Sequence, residues 1–393
     1  MEKKTINKSS ELTSLNFNKI IREYSKLKCP PDVYDPCKLP FQRDKYFVLC
    51  SERSIGKTTN VILFGMIAHE IHGTQIQYIR QSDNMLEPKN MRQLFDTILK
   101  FDYVSKVTKN KWSSVFYYAR GWYYCNRDDS GKVTDQDNKP FMFCLAINRN
   151  MIYKSTYNSP DGDVVIFDEF VSKYTPQDEF VDFCDLVKTI IRERKSPIIF
   201  MLGNTIDRYH IYFSEMELLN ITTTMPLGNH TETVTSKGTP IYIEFPTREK
   251  TETKSTLNKL FFGFRNKKLG SITGDDWALT PMQHIDKNDN PELITRNLYV
   301  SIEGYLINLE LVTSDYYGVH VLAHFANSTY PDSHIYTLEN MLDYRYRYKL
   351  GHDKLDRLIW TLYERKKFFY SNNTVGTLID KYVSRCRTDT RLY

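Results

Sequence analysis

Apolar positions recur along this chain with two periods. Phe17, Ile20, Ile21, Tyr24 and Leu27 are spaced three and four apart, which predicts an amphipathic helix. Tyr46-Phe47-Val48-Leu49-Cys50 is a short unbroken apolar run, which predicts a buried strand. An apolar helical run follows over 61–68; it closes at His69-Glu70-Ile71-His72, with Gly73 as its stop. Further strands are predicted over 76–80, 141–147, 164–169 and 197–202, and a hairpin over 113–125 that turns at Arg120-Gly121. The polar stretch 126–140 reads as a mobile loop, and Lys154-Ser155 as an irregular approach to the next strand. Phe180, Phe183, Leu186, Val187, Ile190 and Ile191 keep helical spacing, which predicts a helix over 180–194. Apolar strands alternating with helices in this way build a parallel α/β sheet.

The pattern changes after about residue 225. Residues 228–258 are rich in Thr, Lys, Glu and Gly and hold one strand, 240–245; otherwise they read as linker. Strand patterns return over 298–311 and 318–325, and helices are expected over 337–349, 353–367 and 375–385. Strands followed by helices indicate a small α+β second domain. Upstream of the first core strand, residues 1–14 are polar, and 29–44 carry four prolines and read as an extended arm. The expected organisation is therefore an N-terminal extension (1–44), an α/β domain (45–227), a linker (228–290) and a C-terminal domain (291–393).

Composition changes this picture little. A net charge of +5 over 393 residues does not by itself indicate nucleic acid. The distribution says more: positions 344–391 are basic and interleaved with aromatics, beginning Tyr344-Arg345-Tyr346-Arg347-Tyr348-Lys349. Such a stretch is either a solvated face with Tyr packed inward or a surface for phosphate backbones. The seven cysteines form no CxxC pair, so neither a zinc site nor a disulfide framework is indicated. His69-Glu70-Ile71-His72 is one residue too short for HExxH. His320 and His324 are four apart but lie in a strand pattern. With no signal peptide or long apolar span, a soluble intracellular protein with no membrane partner is expected.

The loop between the first strand and helix carries the clearest chemistry. Ser51 to Thr58, ending Gly56-Lys57-Thr58, lies in the strand–loop–helix layout of a phosphate-binding loop. Successive backbone N–H groups and the helix N-terminus favour an anion there. Ser54, Ile55, Gly56, Lys57, Thr58 and Thr59 are the candidate ATP-binding residues; Lys57 reaches the terminal phosphates and Thr58 ligands Mg²⁺. Ser51 stands where the usual pattern has Gly. About a hundred residues on, Val164-Val165-Ile166-Phe167-Asp168-Glu169 is an apolar strand ending in two carboxylates. Buried adjacent acids call for a cation, so Asp168 is the expected Mg²⁺ partner and Glu169 the residue that polarises the attacking water. Asn204, at the tip of the 197–202 strand, is placed to sense the γ-phosphate. The basic residues Arg192, Arg194 and Lys195 suit a helix C-terminus; one of them could also act as an arginine finger on a neighbouring subunit.

These residues resemble the DNA-packaging ATPases of phi-29-like podophages, small relatives of terminase large subunits. The resemblance rests on Arg53-Ser54-Ile55-Gly56-Lys57-Thr58, Tyr78-Ile79-Arg80, Phe167-Asp168-Glu169-Phe170, Leu186 to Arg194 and Leu202-Gly203-Asn204. More loosely, His334 to Leu338 and Phe369-Tyr370-Ser371 extend it. It implies an ASCE-type P-loop core followed by a linker and a small RNase H-like domain, a vestigial nuclease. It implies a ring, of five subunits, on the portal vertex of the prohead in the host cytoplasm. Double-stranded DNA, the portal or connector protein and a packaging RNA are the implied partners. Arg192 falls on the family's trans-acting arginine, with Arg194 as its alternative. Lys154 falls near a trans-acting lysine, and Lys89, with Arg92 beside it, near a DNA-tracking loop.

Glu303, Glu310 and Asp315 form no convincing two-metal cluster, so nuclease activity is not expected. Two other readings remain open. One is another P-loop DNA-dependent ATPase, helicase-like or of the transposition type, although no second phosphate loop is visible. The other is a nucleotide-gated DNA- or portal-binding scaffold without turnover. A GTPase is disfavoured by the absence of Asn-Lys-x-Asp.

Overall fold

The computed structural model describes residues 15–30, 33–41, 46–53, 55–156, 162–172, 175, 179–192, 197–205, 207–247, 260, 282–284, 293–302, 304–338, 344–350 and 353–388. The chain divides into two compact units. The first is Met1–Gly263 with Ser271–Asp276; the second is Phe264–Gly270 with Trp277–Tyr393.

The first unit is built on a mixed sheet. In chain order its elements are α1 (Phe17–Ser25), β1 (Tyr46–Ser51), α2 (Lys57–His72), β2 (Ile76–Arg80), α3 (Pro88–Met91), α4 (Asp96–Lys100), α5 (Tyr103–Val107), β3 (Ser114–Tyr118), β4 (Gly121–Arg127), β5 (Val133–Gln136), β6 (Met142–Ala146), α6 (Asn150–Thr156), β7 (Val164–Asp168), α7 (Glu179–Ile191), β8 (Ile198–Asn204), α8 (Ile211–Glu215), α9 (Leu219–Thr224), β9 (His230–Val234) and β10 (Pro240–Glu244). The strands run in the order β3-β4-β6-β2-β7-β8-β1-β10-β9, with β5 on β4. The six from β6 to β10 are mutually parallel, and β3, β4, β5 and β9 add antiparallel edges. Apolar residues on both faces explain this, because parallel strands need cover on each side. Phe47 to Cys50, Val164 to Phe167 and Ile198 to Leu202 are all buried.

One strand, β8, lies between β1 and β7. That insertion between the phosphate-loop strand and the acid-tipped strand makes the first unit an ASCE P-loop NTPase fold. Register brings the tips together: Ser51 pairs with Asn204, and Asp168 with Leu202. The carboxyl ends of parallel strands are where such sheets hold ligands.

Five expectations change in this unit. The N-terminal segment is part of the core: Ile20, Tyr24, Leu27, Tyr34 and Leu39 are buried in it. Phe41 stacks between Phe17 and Phe64, with ring centroids 4.9 and 4.7 Å away. The expected 240–245 strand is present as β10 and pairs directly with β1, while residues 230–234, read as linker, supply a further strand, β9. The polar stretch 126–140 contains β5, which extends the hairpin, and Lys154 lies on α6. The hairpin turns at Ala119-Arg120, both at positive φ (47° and 66°), the geometry of the tight two-residue turn.

The second unit contains β11 (Leu293–Ile302), β12 (Tyr305–Ser314), β13 (Gly318–Phe325), β14 (Ile335–Thr337), β15 (Tyr346–Tyr348), α10 (Lys354–Glu364), β16 (Phe368–Tyr370) and α11 (Asn373–Thr388). The order is β15-β14-β11-β12-β13-β16. β11 to β13 form an antiparallel meander, and β14, β15 and β16 add parallel to their neighbours. Alternation decides the core face: Leu298, Val300, Ile307, Leu309, Val321 and Ala323 are buried. The expected 298–311 strand is two strands, and the described residues of the helix expected over 337–349 hold no helix: Thr337 ends β14 and Tyr346–Tyr348 form β15. Alternating Tyr and Arg at 344–348 suits a strand, where neighbours face opposite ways. No helix among the described residues is long and apolar enough to cross a membrane.

Candidate active site

The phosphate loop ends at Gly56, which caps α2 at φ 80°. A Cβ there would lie 3.0 Å from Asn60 Nδ2 and 3.3 Å from Val33 Cβ, so both backbone angle and space call for glycine. The loop is held from behind by the N-terminal arm. Tyr34 N–H donates to the Ile55 carbonyl (2.8 Å), and Tyr24 OH donates to Asn60 Oδ1 (2.8 Å). Asn60 Nδ2 in turn donates to the Gly56 carbonyl (2.9 Å).

Lys57 opens α2 and is buried. Its ammonium donates to Ser51 Oγ and to the Glu52 carbonyl (3.1 Å). Burial pushes its pKa down to about 8, against the pull of Asp168 and other nearby groups. Thr58 Oγ1 donates to Asp168 Oδ1 (2.9 Å), joining two segments 110 residues apart. Tyr78 OH donates to Asp168 Oδ2 (2.7 Å). Burial holds this phenol well above its ordinary range, so it stays a donor.

Arg80, at the end of β2, completes the acidic side. One guanidinium nitrogen lies 3.2 Å from Asp168 Oδ2, and the other 2.5 Å from Glu169 Oε2. Glu169 sits at φ 56°, a left-handed backbone that costs a non-glycine residue about 1 kcal/mol or more. It turns the chain sharply after the strand. Phe170 and Val171 then pack on Gly203, where a Cβ would come within 2.9 Å of both side chains. Behind this turn, Gln81 donates to the Phe170 carbonyl (3.3 Å) and to Glu179 Oε1 (3.0 Å). Burial pushes Glu179 up to about 7, offset in part by bonds from Tyr212 and Gln81.

A cleft of about 300 Å³ opens over this constellation; Lys57, Thr58, Thr59, Asp168, Glu169 and Asn204 line it. Arg53 lines it too. The donor set fits Mg²⁺: a hydroxyl and a carboxylate oxygen are adjacent, and magnesium typically takes one or two carboxylates with phosphates and waters completing its shell. Among the described residues, no group of three or more His, Cys, Asp and Glu could hold a metal on its own.

Several candidate residues are expected to act outside this cleft, on DNA or on a neighbouring subunit. Of the described residues, Lys89, Arg92 and Arg192 do not line the cleft. Lys89 is exposed and pairs with Glu87 (2.9 Å). Arg192 ends α7 at φ 46°, with Nε donating to the Thr189 carbonyl (3.3 Å). Ser54, Arg194, Lys195 and the side chain of Lys154 lie outside the described residues, as does Glu303. In the second unit, Glu310 Oε1 lies 2.9 Å from His324 Nε2. Lys349, Arg357 and Arg387 surround Trp360 in a groove of about 450 Å³, and Arg387 lies 5.3 Å over the Trp360 ring.

Sequence patterns alone assigned no role to Tyr78, Arg80, Arg53 or the hydroxyl of Ser51. The available signal was a polar residue at the tip of an apolar strand, which marks Arg80 as it marks Asp168.

The loop, the acidic strand tip and the strand between them surround one cleft of an ASCE-type P-loop fold. No protein-family model and no curated protein sequence matches the chain. Among solved structures, the chain is similar to the DNA packaging motor gp11 of Phi-28, at 14% identity and a TM-score of 0.55, covering 93% of this chain and 100% of that one. It is also similar to the viral genome packaging motor assembly of bacteriophage Phi-29, at 17% identity and a TM-score of 0.53, covering 91% of this chain and 100% of that one. At these identities the likeness is one of fold.

Proposed function

We propose that this chain is an ATP-hydrolysing motor that drives double-stranded viral DNA into a preformed prohead. The observation that carries this reading is the 2.9 Å bond between Thr58 and Asp168, which joins the phosphate loop to the acidic tip within one cleft. The fold shared with two packaging motors over nine-tenths of the chain supports the motor reading.

In the proposed chemistry, backbone N–H groups at the start of α2 and the Lys57 ammonium hold the triphosphate. Thr58 and Asp168 would hold Mg²⁺, which would supply charge neutralisation at the phosphate oxygens. Glu169 orients the water and accepts its proton. In the structure, Glu169 is held by Arg80 at 2.5 Å, so that ion pair must open before the carboxylate can act as a base. Asn204 lies where a γ-phosphate would be sensed. Arg192, with Lys154 on the neighbouring α6, serves the site of the next subunit, which makes a ring, of five copies, the working form. Lys89 and Arg92 face DNA. The second unit is read as RNase H-like without nuclease activity, and its basic groove around Trp360 as a surface for phosphate backbones. Portal protein and packaging RNA are the remaining partners, met on the prohead portal vertex in the host cytoplasm.

Phosphate release measured with and without Mg²⁺ and double-stranded DNA tests the activity. The expected result is Mg²⁺-dependent turnover stimulated by DNA; no turnover would favour the scaffold reading. Mixing Arg192→Ala subunits with Lys57→Ala subunits tests the trans role. Restored turnover is expected, and none would place Arg192 in its own subunit's site.

A further inference from the structure

Ser51 occupies the first position of the phosphate loop, where glycine is usual, and its side chain is 1% exposed. Its backbone is fixed against β8 by pairing with Asn204 and by the Thr205 N–H bond to its carbonyl (3.1 Å). The hydroxyl has one proton, and it goes to the Glu52 carbonyl (2.7 Å). Its lone pairs are therefore left for Lys57, whose ammonium donates to it. The Glu52 carbonyl accepts a second Lys57 N–H at 3.1 Å. An ammonium has three donors, so these two bonds leave one for the cleft.

We infer that Ser51 is a positioning residue for nucleotide binding: its hydroxyl anchors the Lys57 ammonium and aims the remaining N–H at the phosphates. This rests on the phosphate-loop reading above and extends it to a residue that departs from the usual pattern. A glycine at 51 offers no such acceptor. The anchor fixes the direction of the lysine.

The hydroxyl separates an anchor from a packing role. Alanine and glycine at 51 leave the Lys57 ammonium one acceptor short, whereas threonine keeps it. Losing one charge-assisted hydrogen bond should weaken MgATP binding about 10-fold in Ser51→Ala and Ser51→Gly, and Ser51→Thr should recover most of it.

The experiment is equilibrium titration of the full chain with MgATP, read by displacement of a fluorescent ATP analogue. Ser51→Ala, Ser51→Gly and Ser51→Thr are compared with the wild type, and a thermal melt of each confirms folding. Weaker binding by the alanine and glycine variants, recovered by threonine, is expected. Wild-type affinity in Ser51→Ala and Ser51→Gly, or an equal loss in all three folded variants, would overturn the inference while leaving the phosphate loop intact. Failure of the wild type itself to bind MgATP would overturn both.

Discussion

Removing the guanidinium at Arg80 strips the counter-charge from two carboxylates at once. The Asp168 side chain is 9% exposed and that of Arg80 16%, so water screens their 3.2 Å pair poorly. Glu169 is 52% exposed, so its shorter contact with Arg80 contributes little to stability. Deleting one member of a buried ion pair costs about 3–5 kcal/mol, because the other charge is left uncompensated. Asp168 keeps donors from Thr58 and Tyr78, which points to the lower end, about 3 kcal/mol, for Arg80→Ala. In a unit of this size that corresponds to a fall in Tm of roughly 6–12 °C. The assay is a thermal melt of the nucleotide-free chain, repeated with saturating Mg²⁺ and a non-hydrolysable ATP analogue. The second condition should close most of the gap, since a cation held by Thr58 and Asp168 would supply the missing positive charge. Arg80→Lys should melt between the two, because one ammonium cannot fork to both carboxylates. Equal melting of Arg80→Ala and wild type without nucleotide would refute the reasoning.

Other outcomes follow from the same geometry. Glu169→Gln should retain MgATP binding while turnover drops by about 10²- to 10⁴-fold, measured by phosphate release; normal turnover would remove Glu169 from its role. Gly203→Ala forces a methyl to within 2.9 Å of Phe170 and Val171 and should cost about 1–3 kcal/mol in urea unfolding, where an unchanged midpoint would contradict the packing described. Lys57 titrates near 8 in the folded chain against 10.5 unfolded, so the unfolded state binds more protons between those values. Stability without nucleotide should therefore rise with pH across that window, whereas MgATP affinity should fall about tenfold per unit above pH 8. A flat affinity profile from pH 7 to 9.5 would argue against a buried ammonium in phosphate binding.

Much of the site was legible because its residues sit at the ends of apolar runs. Val164 to Phe167 announces a buried strand, and Asp168-Glu169 stand out as acids at its tip. The same logic marked Lys57, Thr58 and Asn204, and the structure brings all five around one cleft. Gly73 ends α2 as its position suggested. Arg80 was equally visible but had no partner in the one-dimensional pattern; only the β2–β7 pairing sets it against both carboxylates. The Ser51 hydroxyl likewise drew attention as a departure from glycine, while its bond to Lys57 depends on how the loop curls back.

What the chain determined by itself were the pieces held by local forces: strand and helix periodicity, the glycine at the helix start, and the polar residues that terminate apolar runs. Tertiary structure alone decided which strands are neighbours. Periodicity records that a segment is buried, not against what, because any apolar strand satisfies the hydrophobic effect equally well. Hydrogen-bond pairing over long sequence separations settled the rest. It inserted β8 between β1 and β7, set the expected 240–245 strand against β1 as β10, and left 346–348 as a strand rather than a helix. It also folded the N-terminal arm against the phosphate loop, where Tyr34 and Tyr24 find acceptors that no reading of their own segment could supply.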